Sequence, residues 1–278
     1  MTDNRLIVSA ALFGNGTTKE MNPATPYYPE EIAEDAVKCV RAGASILHLH
    51  ARDKNGVPTL DPGCFRDNYE AVKDALKKEG LDAIVNLSTG GLGSTEERIE
   101  HIRQLKPEIC SYNPGSINWG MKYVYNNPPE YLRGLGEVCR EYGIRPEIEI
   151  FDTGMFDIVK MAIKEGVLAE PCYFQLVLGI GGGLEMSLNS LKFLLDHMPE
   201  GSLWSLTGIG RYHMPAMLAG LAAGCNGIRC GLEDGVWLWK GVPATNELFV
   251  KQAVELGKAA GRTIATAEDA REILGLKK

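Results

Sequence analysis

Two histidines one residue apart, His48 and His50, sit in the run Ile46-Leu47-His48-Leu49-His50-Ala51-Arg52-Asp53. Side chains on a strand alternate faces, so both imidazoles point the same way. Two imidazoles on one face, at the C-terminal end of a strand, are placed to bind a divalent metal. The competing reading is a pair of hydrogen-bonded histidines closing a strand. A second run, Gly227-Ile228-Arg229-Cys230-Gly231-Leu232-Glu233-Asp234-Gly235, gathers an arginine and two carboxylates into one strand end and short loop. A carboxylate added to two histidines suits Zn²⁺, with three protein ligands and a position open for substrate. Glu233 or Asp234 could be that ligand. The other could then serve as a base, with Arg229 steering it or binding an anion. Taken alone, the same run also reads as a solvated acidic turn.

Other strand ends offer weaker groups. In Asn86-Leu87-Ser88-Thr89-Gly90-Gly91-Leu92-Gly93-Ser94, hydroxyls and flexible backbone can present N–H groups to a carboxylate or phosphate, although the spacing is not that of a phosphate-binding loop with its lysine. Asn113, in Tyr112-Asn113-Pro114-Gly115, could hydrogen-bond a substrate, and Asn-Pro also makes turns. Glu147 and Glu149 share one strand face, which is costly inside a barrel unless they are paired, and so favours a polar site there. Gly179-Ile180-Gly181-Gly182-Gly183 would let a ligand approach the backbone closely but lacks dinucleotide-fingerprint spacing. Arg211, near a helix N-terminus, is an anion-contact candidate, with His213 beside it as a supporting residue rather than a ligand. His101 and His197 fall in predicted helices and read as surface or cap residues. The stretch 114–128, with Trp119, Tyr123 and Tyr125, reads as a lid or an oligomer contact.

These groups need a scaffold, and the chain alternates short β-branched runs with longer amphipathic ones. The patterning predicts strands over Arg5–Leu12, Ser45–His50, Ala83–Ser88, Glu108–Tyr112, Pro146–Phe151, Cys172–Leu178, Ser202–Leu206 and Asn226–Cys230. Helices are predicted over Pro29–Ala42, Pro62–Lys78, Thr95–Gln104, Pro129–Tyr142, Met155–Glu165, Ser187–His197, Tyr212–Ala223 and Thr245–Gly261, with Ala267–Leu274 closing the chain. Pro29 followed by Glu30 and Glu31 suits a helix first turn, and Gly43, Gly80, Gly143, Gly166 and Gly224 follow helical runs as C-caps do. Eight strand–helix units in this length imply a closed (β/α)8 TIM barrel, with an open doubly wound sheet as the alternative. No linker or low-complexity segment interrupts the alternation, so residues 1–278 read as one barrel domain with a short C-terminal helical extension. Catalytic groups in such a barrel gather at the C-terminal strand ends.

Composition agrees. The 278 residues are 45% apolar and 23% charged, a globular balance, and the formal charge is −7. That argues against coating nucleic acid or binding an anionic membrane, but not against a small anionic substrate. No stretch approaches the length of a membrane span. The start, Met1-Thr2-Asp3-Asn4-Arg5, lacks the pattern of a signal peptide. Seven cysteines without a C-x-x-C pair point to a reducing cytoplasm, with most of them packed as small hydrophobes.

His48–Asp53, Ser88–Gly91, Glu147–Glu149, Gly208–His213 and Arg229–Asp234 together, in this order along the whole chain, resemble the beta-keto acid cleavage enzymes. The resemblance implies a zinc-dependent TIM barrel, a homotetramer acting in amino-acid catabolism. It would condense a β-keto acid with acetyl-CoA to acetoacetate and a new acyl-CoA. It assigns His48, His50 and Glu233 to zinc and the Arg229/Asp234 pair to proton abstraction. It also assigns Ser88, Gly91 and Ser111 to the substrate carboxylate and keto end, where the family example has threonine at the last position. A member acting on an amino-bearing substrate carries a glutamate after strand one. Here Gly16 stands in that place and Glu20 is out of register, so a neutral or apolar β-keto acid is expected. The alternatives are a metal-dependent barrel hydrolase or aldolase without CoA, and a catalytically silent metabolite-binding barrel.

Overall fold

Helix starts and stops follow local chemistry. The first helix, α1 (Pro29–Ala42), opens with Pro29 at a position whose missing N–H costs nothing. Glu30 and Glu31 face the helix dipole, and Gly43 closes it at φ 118°. Helix α3 (Thr95–Leu105) begins with a reciprocal Ser94–Glu97 capping box. The remaining helices are α2 (Pro62–Lys78), α4 (Pro129–Tyr142), α5 (Met155–Lys164), α6 (Leu188–His197), α7 (His213–Ala222), α8 (Asn246–Ala259) and α9 (Ala267–Leu274). The structure, a computed structural model, describes residues 3–276. Met1 and Thr2, part of the stretch read for a targeting signal, lie outside the described residues, as do Lys277 and Lys278.

Eight parallel strands alternate with these helices: β1 (Arg5–Ala11), β2 (Ile46–Leu49), β3 (Ile84–Leu87), β4 (Ile109–Tyr112), β5 (Arg145–Ile150), β6 (Tyr173–Leu178), β7 (Leu203–Gly208) and β8 (Gly227–Cys230). They pair in order, and β8 pairs back onto β1, with Ser9 opposite Arg229. The sheet is therefore closed, the (β/α)8 barrel expected from the patterning. No helix among the described residues is long and apolar enough to cross a membrane.

Period-two alternation sorts the strand residues. Outward side chains such as Leu6, Val8, Leu47 and Phe174 pack under the helices. Inward ones change character along the axis. At the N-terminal end Ile7, Ile46, Ile84, Ile109 and Tyr173 form an apolar plug closed by Ala270 and Leu274 of α9. One inward position further on stand Ser9, His48, Asn86, Ser111, Glu147, Gln175, Ser205 and Arg229, all buried. Barrel interiors are usually filled by branched apolar residues, so a polar row in the middle must be held by hydrogen bonds. Tyr173 donates to Ser205 (3.2 Å), Ser205 to Gln175, and Asn86 to Glu147 (2.5 Å).

Two β-hairpins were not expected. Ile117–Trp119 pairs with Tyr123–Tyr125 inside the stretch read as a lid or oligomer contact, and Trp237–Trp239 pairs with Val242–Pro243 after β8. Strand β7 runs two residues beyond its predicted end, which brings Thr207 into the barrel wall.

Candidate active site

Strand β2 ends at the mouth of the barrel, and the loop after β8 folds back across it. His48, His50 and Glu233 thereby offer one ligand atom each, all within 4.8 Å of one another. Glu233 Oε1 lies 3.3 Å from His50 Nε2, and Oε2 lies 3.5 Å from His48 Nε2. Several features suit a divalent cation. Burial pushes the His48 imidazole down to about 3, leaving it neutral. His50 Nδ1 is 3.2 Å from Asn15 Oδ1, an acceptor that fixes the proton there and turns the Nε2 lone pair toward Glu233. Burial raises the Glu233 carboxyl, but the Arg229 guanidinium, the largest opposing influence, holds the group ionised, below the ordinary carboxylate range. Its Oε2 is buried and accepts no hydrogen bond. Gly14 makes room for this carboxylate, because a Cβ there would meet Glu233 Cγ at 2.6 Å.

The second cluster is centred on Arg229, buried in the barrel. Its Nε and Nη2 each donate to Asp234 at 2.9 Å, a bidentate pair. Nη1 donates to Glu149 at 2.9 Å, and Nη2 lies 2.8 Å from Glu233 Oε1. Three surrounding carboxylates keep the guanidinium charged against its burial. Thr207 donates to Asp234 Oδ2 at 3.1 Å. Burial raises Asp234, with Arg229 opposing, so this carboxylate is a stronger base than an exposed aspartate. Glu149 is raised for the same reason. Glu147, one inward position deeper, is pushed up to about 7 by burial and then by the charge of Glu149.

The clusters form the floor of a cavity of about 1980 Å³. Ser88, Gly91, Asn113, Glu149 and Arg211 line it with His50, Arg229, Glu233 and Asp234. Both amide atoms of Asn113 are buried without a partner. Ser88 Oγ accepts from Gly90 N–H at 3.1 Å. Ser111 stands elsewhere: fully buried, its hydroxyl accepts from Thr89 N–H (2.9 Å), which places it behind Thr89 rather than on the cavity wall. Arg211 is exposed and donates to the Tyr212 hydroxyl at 2.6 Å. Gly16 also lines the cavity, with nothing within 4 Å of the position a Cβ would take.

Two sequence readings are corrected. The glycines after β6 admit protein rather than a ligand: a Cβ on Gly182 would meet the Asn118 carbonyl at 1.8 Å, and Gly120 N–H donates to Gly181 at 2.7 Å. The first hairpin is docked there. His101 is not a surface residue. It is fully buried, stacked on Phe65 at 3.9 Å, and its Nε2–H donates to the Ser88 carbonyl at 2.9 Å. His197 does lie at the surface, bonded to the Phe193 carbonyl in the last turn of α6. His213 supports the β8 loop by accepting from Gly231 N–H at 3.4 Å. Six of the seven cysteines are buried, as small hydrophobes are. Asn15 and Thr207 were missed. Thr207 follows from the period-two alternation through Ser205, whereas nothing local marks Asn15.

The fold and the site define a barrel enzyme with a His–His–carboxylate cluster beside an arginine-held base. The chain belongs to the beta-keto acid cleavage enzyme family, whose model matches residues 5–276, and it is an enzyme of that type. It is 40% identical to a 3-keto-5-aminohexanoate cleavage enzyme of Fusobacterium nucleatum over 99% of both chains. It is 31% identical to a 3-dehydrocarnitine:acetyl-CoA trimethylamine transferase of Rhizobium meliloti over 99% of this chain and 98% of the relative. Among solved structures it is similar to a binary complex of ObcA with oxaloacetate, with TM-score 0.77 and 24% identity over 92% of this chain and 68% of that one. That likeness speaks to fold alone.

Proposed function

We propose that this chain, folded as a single barrel domain, condenses a neutral or apolar β-keto acid with acetyl-CoA and releases acetoacetate and a new acyl-CoA. The observation that carries the reading is the contact between two clusters. Arg229 touches Glu233, on the metal-capable side, and Asp234, on the base side. His48, His50 and Glu233 would hold zinc, which when bound polarises the keto oxygen and stabilises negative charge developing at C2.

The chain's own groups account for the remaining steps. Asp234 takes the C2 proton, and Arg229 and Thr207 fix the orientation of its two oxygens. The C2 carbanion attacks the acetyl thioester carbonyl, forming a carbon–carbon bond and expelling CoA thiolate. The thiolate then adds to the original keto carbon. The bond from that carbon to C2 breaks, giving the new acyl-CoA, and the C2 electron pair of the departing acetoacetate recovers a proton from Asp234. Ser88, Gly91 and Asn113 would hold the substrate carboxylate and keto end, with Asn113 bringing an unsatisfied buried amide. Ser111 acts through Thr89, and Arg211 meets an anion at the mouth. Gly16 leaves open space where a charged partner for a substrate ammonium would stand. A cytoplasmic homotetramer and a role in amino-acid catabolism belong to the same proposal through family likeness.

Metal analysis tests the site. The wild type is expected to hold about one zinc per chain, and His48→Ala and Glu233→Ala to lose both metal and turnover. Full activity in metal-free protein would sink the reading.

A further inference from the structure

The cavity above the clusters is larger than one β-keto acid requires, since sites for drug-sized ligands span roughly 300–1,000 Å³ and this one is about 1980 Å³. Its rim is electrically divided. The arc above β2 and β3 carries Asp61, Glu96, Glu97 and Glu100, of which Glu96 and Glu100 pair with Arg103. The opposite arc carries Lys122, Arg211 and Lys240. Lys122 reaches that side because its hairpin crosses from β4 to the glycine loop after β6, where Gly120 N–H donates to Gly181 at 2.7 Å. Lys240 reaches it because the second hairpin grows directly out of the Glu233–Asp234 loop. The base of that hairpin is pinned by buried Asn22, which donates to the Val236 and Ala244 carbonyls at 2.9 and 2.8 Å. Among the described residues, none of these three cations makes an ion pair with a carboxylate.

Beside Lys240 the hairpin presents two indoles. Trp237 and Trp239 alternate with Leu238, which packs on the core, so both point away from it. They are 49% and 58% exposed. Large exposed aromatics next to cations are the equipment by which proteins hold a nucleotide, with ring stacked on base and cations on phosphate.

We infer that the two hairpins form the nucleotide-binding half of the acetyl-CoA site. Lys122, Arg211 and Lys240 receive the phosphates, and the Trp237/Trp239 face receives the adenine. Lys240 lies six residues beyond Asp234. The chain between them can reach at most about 20 Å, so the rim cation and the base at the floor lie close enough for one pantetheine arm to bridge. The β-keto acid then occupies the floor, between the His48, His50 and Glu233 cluster and Asp234. The inference rests on the acetyl-CoA reading above and extends it to Lys122, Lys240, Trp237 and Trp239, which no part of that reading used.

The test compares binding of CoA with binding of pantetheine, which lacks the nucleotide and its phosphates, by calorimetry on the full chain. Wild type is expected to bind CoA at least tenfold more tightly than pantetheine. In Lys122→Glu/Lys240→Glu, and separately in Trp239→Ala, that ratio is expected to fall at least tenfold and threefold. The CoA affinity of wild type should weaken with salt more steeply than that of the double variant. A double variant with the wild-type ratio overturns the assignment. So does a variant that changes the size of the assembly on gel filtration while keeping the ratio, which would give the hairpins to contact between copies. If the ratio behaves as expected but no acyl-CoA forms, the acyl-transfer reading fails instead.

Discussion

The two ends of this barrel are built from the same eight strands, one inward-facing position apart, and they do opposite work. At the N-terminal end Ile7, Ile46, Ile84 and Ile109 meet α9 in a dry plug. One step along, the same strands present Ser9, His48, Asn86 and Ser111, and the polar row continues into the clusters at the mouth. The plug gains its stability from removing apolar surface from water. The upper rows give up that gain and place ionisable groups where water is scarce, so that each group is set by its neighbours. Arg229 shows the consequence: a buried guanidinium held by Asp234, Glu149 and Glu233 orders three carboxylates at once. The difference teaches that stability and chemistry are separated along the strand axis.

Substitutions at the two ends should therefore fail differently. The largest effect is expected from Asp234→Asn, which lowers kcat by about 10²–10⁴-fold, the usual contribution of a general base, while zinc content stays at the wild-type level. Loss of metal instead would mean that the roles of Glu233 and Asp234 are exchanged. At the other end, Ile46→Ala removes side-chain volume from the plug and should cost about 2–5 kcal/mol in urea unfolding, with kcat/KM nearly unaltered. A rate loss comparable to that of Asp234→Asn would break the separation.

A smaller effect tests the polar row itself. Glu147 is raised to about 7 in the folded chain, above its ordinary value of 4.5. The folded state thus holds this proton more tightly than the unfolded one. The group's contribution is fully present below pH 4.5 and is lost as pH rises toward 7, by roughly 1–3 kcal/mol. Glu147→Gln should flatten that part of the stability–pH curve, measured by denaturant titration between pH 4.5 and 7.5. An unchanged slope would show that Glu147 is ionised in its pocket. The smallest effect expected is from Gly16→Glu, where open space admits the side chain. Discrimination in favour of amine-bearing β-keto acids should rise by about tenfold, or ~1.4 kcal/mol, in competition assays. Strong wild-type preference for the amine-bearing substrate would contradict the reading of Gly16.

Much of the scaffold was legible because its punctuation is local. Pro29, Pro62 and Pro129 open helices where predicted, and Gly43 and Gly143 close theirs in the left-handed conformation expected of a C-cap glycine. The H-x-H spacing was legible because strand alternation alone puts His48 and His50 on one face. The hairpins were not, since Trp237–Trp239 and Val242–Pro243 are too short to show a period and are held by a distant residue, Asn22. The glycines after β6 misled for a related reason. Their lack of side chains signals close approach, but not whether a ligand or the Asn118 carbonyl approaches. His101 lies on a helix face that looks polar in sequence and is buried because Phe65 stacks on it and Ser88 needs a donor.

The central claim is that acetyl-CoA enters the reaction as the carbon partner of the β-keto acid. Acetyl-CoA labelled with ¹³C in the acetyl group, incubated with the zinc-loaded enzyme and a panel of β-keto acids, tests it by mass spectrometry. The account predicts the label in the acetoacetate, in the carbons derived from the acetyl group, and an unlabelled acyl-CoA carrying the substrate's own side chain. Cleavage of the keto acid without consumption of labelled acetyl-CoA would contradict it.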